Sequence, residues 1–285
     1  MNLEGRRESS NVEDRRGMSG GAMAGIGLGG GAIILALIVM LLGGDPSSVL
    51  QQAGTTTQTE QTNVEFTQEE QELASFAKKI LAGTEDVWTA QFAKYGYEYQ
   101  PPKMVLYTGA TSSGCGAASS SVGPFYCSAD QTVYLDLSFF TTMKQSLGAD
   151  GDLAYAYVIA HEVGHHVQNL LGTLGKAHQI MQQSSKTVAN QYSVRLELQA
   201  DYYAGVWANN DNARYKSLEA GDIEKALNCA AKIGDDYLQK KSQGYVVSES
   251  FTHGTAQQRH NWLKRGMYYG DIEHGDSFSP SYNSL

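Results

Sequence analysis

The stretch Ala160-His161-Glu162-Val163-Gly164-His165-His166-Val167-Gln168 decides how the rest of the chain is read. Around it Leu153, Tyr157, Ala160, Gly164, Val167 and Leu171 recur at three- and four-residue steps, which is the period of a helix. Residues four apart share a helical face. His161 and His165 therefore point two imidazoles at one metal ion, with Glu162 beside them to handle protons. His166 falls well round the helix and makes a poor third member. Val158, Ile159, Val163, Gly164 and Val167 are uncharged, as a buried active-site helix requires. The alternative is an accidental pair, in a chain with only 7 His.

A zinc hydrolase needs three protein ligands and one open position. Ten residues after His161 stands Leu171 rather than another His, so the third ligand has to come from a different element. Tyr192–Asn209 reads as a helix and contains Glu197-Leu198-Gln199-Ala200-Asp201. Glu197 suits the third ligand. Asp201, one turn later, suits the acceptor for the second ring N–H of a ligand His. Without the first motif, Glu197 would read as an ordinary solvated carboxylate.

The 285 residues allow one large domain, or one domain with attachments, and 41% hydrophobic composition can fill a sizeable core. A net charge of −9 gives no electrostatic case for a nucleic-acid partner. Residues 1–20 are polar, with Arg6, Arg7, Arg15 and Arg16 balanced by acids. From Gly17 to Gly44 there is no charge. Residues 21–43 predict one transmembrane helix, long enough to cross the hydrocarbon core. The Arg residues ahead of it predict a single-pass protein of the cytoplasmic membrane, with residues 1–20 cytoplasmic and the following domain outside. A cleaved signal peptide is the rival, disfavoured by the long n-region and the poor site at Gly43-Gly44-Asp45-Pro46; a buried helix is disfavoured by the lack of a polar face. The spacing Gly21, Gly25, Gly29 is a weak signal for a homodimer through this span. Residues 44–67, rich in Gln and Thr, read as a linker.

The folded part, residues 68–285, predicts a mainly α (α+β) fold with a small β-sheet. Gln68–Ala82 is an amphipathic helix, and Thr84 predicts the cap of a second one. Met104–Tyr107 and Thr132–Asp136 are short β-prone runs. Cys115 and Cys127 lie between them. In an oxidising compartment they can close the loop as a disulfide contributing about 3 kcal/mol; free core thiols are the alternative. Cys229 is left over, and the absence of a C-x-x-C pair argues against a thiolate zinc knuckle. Ser138–Leu147 predicts a short helix, Asp150 or Asp152 caps the metal helix, and Gly172 closes it. Residues 173–190 read as a mobile cover or a connection. Ile223–Ile233 and Thr255–Tyr269 predict further helices, and the last dozen residues a loose tail. His253 lies in the turn before the closing helix. It reads either as a donor to a developing oxyanion or as a ring satisfying backbone groups. His178, His260 and His274 read as surface residues.

The motifs taken together resemble the bacterial neutral zinc metallopeptidase family, the YpfJ-like membrane peptidases within the E-x-x-A-D gluzincins. The resemblance rests on Gly5-Arg6-Arg7-Glu8-Ser9, Asn11-Val12-Glu13-Asp14-Arg15-Arg16, Gly114-Cys115-Gly116, Gly123-Pro124-Phe125-Tyr126-Cys127, the His161–Gln168 and Glu197–Asp201 segments, and Phe251-Thr252-His253-Gly254-Thr255. It covers most of the chain, and the set is far more specific than any one piece. It implies a zincin-like fold after one amino-terminal membrane span. It also implies one Zn²⁺ ion on His161, His165 and Glu197, Glu162 as general base, Asp201 behind the ligands, and a peptide or protein substrate. Members often have a Cys where this chain has Tyr202 and another near Gly275; the departure predicts that a second cross-link is missing. A strand beside the cleft, Thr132–Asp136 for one, could hold an extended peptide by edge pairing. Two rival functions compete: a zincin-fold adaptor or chaperone that binds peptides uncut, and a hydrolase of non-peptide amides.

Overall fold

The computed structural model describes residues 1–17 and 65–285. A short strand, β1 (Val12–Asp14), precedes the long helix α1 (Gln68–Lys94). Thr67 and Glu70 form a reciprocal capping box that satisfies orphan N–H groups at the start of α1. The sequence predicts a break at Thr84, yet α1 runs straight through. The Thr84 hydroxyl donates to the Leu81 carbonyl at 2.7 Å, within the helix, so it caps nothing. Gly83 is retained for space: an added Cβ would lie 2.9 Å from the Arg6 guanidinium.

After Pro101-Pro102 come β2 (Lys103–Tyr107), the hairpin β3 (Ala110–Ser113) and β4 (Gly116–Ser119), then β5 (Phe125–Cys127) and β6 (Thr132–Asp136). The main sheet has the order β1-β2-β6-β5, with β1, β2 and β6 parallel and β5 antiparallel to β6. Every residue of β6 is buried, as a strand paired on both sides and covered by helices must be. It has no free edge for a peptide; the edge next to it is β5. Cys115 and Cys127 form a disulfide that ties the turn of the β3–β4 hairpin to β5. Cys229 is a free, buried thiol.

The second half is helical. Helix α2 (Ser138–Thr142) passes into a π turn (Met143–Leu147). Helix α3 (Asp152–Leu170) carries the metal motif. Its cap is Gly151 without a side-chain bond, while Asp150 accepts from the Tyr155 hydroxyl at 2.8 Å instead. Residues 173–190 are not a connection: they form α4 (Thr173–Gln182) and the start of α5 (Lys186–Tyr215), which is capped by Ser185. Then follow α6 (Asp222–Lys232), α7 (Asp235–Gln243) and α8 (Ala256–Tyr269). One core joins α1, the inner face of the sheet, α3, α5, α6 and α8. The carboxyl-terminal segment, expected to be loose, is pinned. Arg195 donates to the carbonyls of Ser277, Phe278 and Pro280, and Gln199 to that of Gly275 at 2.9 Å. The Tyr202 hydroxyl holds Asp271 at 3.1 Å, so docking of this segment proceeds by hydrogen bonds.

The single-pass architecture and the cytoplasmic-membrane localisation are corrected by the structure. Among the described residues no helix is long and apolar enough to cross a membrane. The expected span 21–43, its Gly21/Gly25/Gly29 face and most of the linker lie outside the described residues. More decisive is the flanking chain. A single crossing leaves its two flanks on opposite sides of a bilayer, whereas Val12, Glu13 and Asp14 are paired in register with Met104, Val105 and Leu106 in one sheet. Residues 1–17 are thus not a separate polar segment. Arg6 reaches Asp211 at 2.6 Å, and Arg7 reaches Asp86 at 2.6 Å and Glu85 at 2.9 Å.

Candidate active site

Helices α3 and α5 cross where both have small residues. An added Cβ on Gly164 would lie 3.0 Å from the Ala200 carbonyl oxygen and 3.1 Å from its Cα, so the backbones are already in contact. That approach sets the distance from the histidines on α3 to the carboxylates on α5. His161 Nε2 lies 3.1 Å from Glu197 Oε2, and His165 Nε2 lies 3.4 Å from Glu197 Oε1. One ligand atom from each of the three residues falls within 4.8 Å of the others. Two donors each about 2.05 Å from a tetrahedral zinc ion stand about 3.3 Å apart. The two histidine-to-glutamate separations bracket that value, and two imidazoles with one carboxylate are a donor set zinc accepts.

Asp201 is fully buried behind the group. Its Oδ1 accepts from His161 Nδ1 at 2.8 Å, from the Tyr157 hydroxyl at 2.6 Å and from Arg259 Nη2 at 2.9 Å. Its Oδ2 accepts from Arg259 Nε at 2.9 Å. The proton on His161 Nδ1 leaves Nε2 as the free ligand atom. His165 is oriented through Gln168, whose Oε1 lies 2.9 Å from Nδ1 and whose amide donates to the Leu196 carbonyl at 2.7 Å. That contact fastens α3 to α5 beside Glu197. His166 faces away, with Nδ1 2.9 Å from the Tyr126 hydroxyl and Nε2 2.7 Å from the Gln100 carbonyl.

The electrostatics follow from burial and pairing. Burial opposes charge on His161, but Asp201 and Glu197 outweigh it and raise its pKa; a bound metal ion would displace the proton from Nε2. Burial raises the carboxyls of Glu197 and Asp201, yet both end below their ordinary values. His253, His165 and His161 act on the first, and Arg259 and His161 on the second. Glu162 differs: burial dominates and pushes its carboxyl up, toward the range useful to a general base.

His253 lines the same cleft as His161, Glu162, His165 and Glu197. The backbone of its turn is satisfied by Asp235, whose Oδ2 accepts from the N–H groups of Thr252, His253 and Gly254 at 2.8, 2.7 and 3.0 Å. Its ring is thereby released from that task; Nδ1 lies 2.9 Å from Thr252 Oγ1, and the side chain is 29% exposed. His178, expected on the surface, is exposed but also lines the cleft. The rings of His260 and His274 bond to Asn261 and Asp271. Arg259 and Tyr157 were not anticipated. A signal for Arg259 existed: it shares the buried stripe of α8 with Trp262, Leu263 and Gly266, and a guanidinium there needs a buried anion.

Comparison with known sequences decides the family. Residues 1–278 match the family described as "Putative neutral zinc metallopeptidase". The chain belongs to this zinc metallopeptidase family. The Uncharacterized protein YpfJ of Escherichia coli strain K12 is 51% identical over 287 aligned positions, spanning 99% of this chain and 100% of that protein. The Uncharacterized protein Mb2605 of Mycobacterium bovis is 45% identical over 191 positions, 64% of each chain. No solved structure matches. Membership extends over β1 as well as the metal helix, so the family's matched region and the folded body described above largely coincide.

Proposed function

We propose that this protein is a zinc-dependent peptidase that hydrolyses peptide bonds with water, Glu162 acting as general base. The observation that supports this reading is the convergence of His161, His165 and Glu197 with the buried Glu162 in one cleft. A peptide-binding adaptor has no use for that fourth group. Zinc bound there supplies Lewis acidity, acidifying a water and polarising the scissile carbonyl. Glu162 accepts the proton of the attacking water and passes it to the leaving amine. His253, whose ring looks into the same cleft, donates to the oxygen that gains charge as the carbonyl carbon becomes tetrahedral. Asp201, held by Arg259 and Tyr157, fixes the tautomer of His161. The edge of β5 that no strand among the described residues covers, with Phe125 and Tyr126 on the cleft wall, replaces Thr132–Asp136 as the strand that holds the substrate extended.

The Glu162→Gln variant is expected to keep its zinc and lose about 10²–10⁴-fold in peptide hydrolysis. Elemental analysis and cleavage of a mixed peptide library, with and without chelator, read both. Undiminished turnover would falsify the base assignment. Glu197→Ala should emerge from dialysis against buffered zinc with sub-stoichiometric metal; full occupancy removes Glu197 from the ligand set.

A further inference from the structure

The cleft that contains the metal group encloses about 460 Å³, enough for side chains on both sides of a scissile bond. It has two apolar walls. The first is built by Phe139, Met143 and Leu147 from α2 and its π turn, together with Ile233 and Leu238. Val158, one turn ahead of His161, joins it to the metal helix. The second wall is Tyr126, Leu174, Met181 and Leu196, which pack as a small cluster of their own, joined to the main core through Tyr126. Along the chain Val158 precedes the metal pair on α3 and Leu174 follows it at the start of α4, so the two apolar groups adjoin the metal helix from its two ends.

The charges in the cleft are committed. Glu162 and Glu197 are the carboxylates of its lining, and both serve the metal chemistry proposed above. No lysine lines it. Its one arginine, Arg259, is bidentate to Asp201 and 4% exposed, so it cannot turn to take a substrate carboxylate. His178 lines the cleft from an exposed position on α4. A free terminal carboxylate would find only His253 and the metal, both needed at the scissile carbonyl, and a free terminal amine only Glu162 and Glu197, both needed by the metal chemistry.

Resting on the peptidase reading, we propose that the cleft takes an internal stretch of polypeptide, with a bulky apolar side chain on each side of the scissile bond. Such stretches are the segments that folded proteins bury and unfolded ones expose. The activity is then that of an endopeptidase selective for apolar sequence.

The test uses short peptides with Leu, Asp or Lys at each flanking position, with blocked and with free termini. Each is offered to the zinc-loaded full chain for hydrolysis and to Glu162→Gln for binding by fluorescence anisotropy. Leu-flanked peptides are expected to exceed the Asp and Lys sets by about 100-fold in kcat/KM, with blocked and free termini cut alike. Binding to Glu162→Gln should show the same order. Phe139→Lys and Met181→Lys, both at partly exposed positions, should each move the preference toward Asp at one flank only. Equal rates and equal binding across the three sets overturn the proposal, as does loss of cutting when the termini are blocked. Leu-selective binding with no hydrolysis of any peptide would remove the peptidase reading and leave the apolar cleft standing. Hydrolysis without side-chain preference would do the reverse.

Discussion

At Asp201 a single carboxylate oxygen receives an imidazole, a phenol and a guanidinium, all out of contact with water. Removing one partner of a buried ion pair leaves the other charge uncompensated, which costs about 3–5 kcal/mol. Arg259→Ala should therefore lower Tm strongly. Arg259→Lys keeps the charge but loses the bidentate fork, and zinc affinity should fall about 10-fold as His161 loses its fixed orientation. Competition against a chromophoric chelator measures the second effect; unchanged affinity in the lysine variant would show that Arg259 is only structural. The helical spacing made His161, Glu162 and His165 legible from sequence, and one further turn linked Glu197 to Asp201. Arg259 offered one signal, its place on the apolar stripe of α8, but its partner was not legible, being 58 residues away.

Helix crossings decide whether those residues meet. On α5 and α8, Gly205 and Gly266 face one another, and a Cβ on Gly266 would overlap the Tyr202 carbonyl. Alanine within a helix ordinarily gains about 1 kcal/mol over glycine. Here overpacking of backbone on backbone costs about 1–3 kcal/mol or more, so the clash wins. Gly266→Ala should lower Tm and, because α8 carries Arg259, weaken zinc binding as well. Calorimetry and metal titration on the same preparation test the coupling; an unchanged Tm would mean that the crossing relaxes freely. Most helices were legible from their apolar periodicity, including α6 and α8. Two features were not. At α1 the run Thr84-Glu85-Asp86 reads as a helix start, and the Arg6 side chain beside Gly83 comes from distant chain. Strand β1, Val-Glu-Asp, has no apolar pattern of its own and is defined only by its partner β2.

Across the whole molecule, charges near the amino terminus hold α1 to α5. Burial raises the Asp86 carboxyl, but the Tyr215 hydroxyl and Arg7 outweigh it and leave its pKa below the ordinary 3.8. A folded-state pKa depressed in this way contributes stability above the unfolded-state value. That contribution disappears as the pH falls through the folded one. Asp86→Asn should therefore be less stable than the parent at pH 6, and the gap should narrow toward pH 3, as read from urea midpoints. A gap that stays constant with pH would mean that the ion pair contributes nothing through ionisation.

Arg16 ties the two flanks of residues 18–64 together: its guanidinium donates to the Glu70 carbonyl at 2.7 Å and lies 4.3 Å over the Phe66 ring. The consequence is practical. A recombinant version trimmed to start at residue 68 would forfeit β1, leave the flank of β2 bare and invite strand-to-strand aggregation. Excising 18–64 and splicing Gly17 to Glu65 through a few flexible residues keeps the sheet whole. It also shortens the loop that folding must close, at a lower entropic cost.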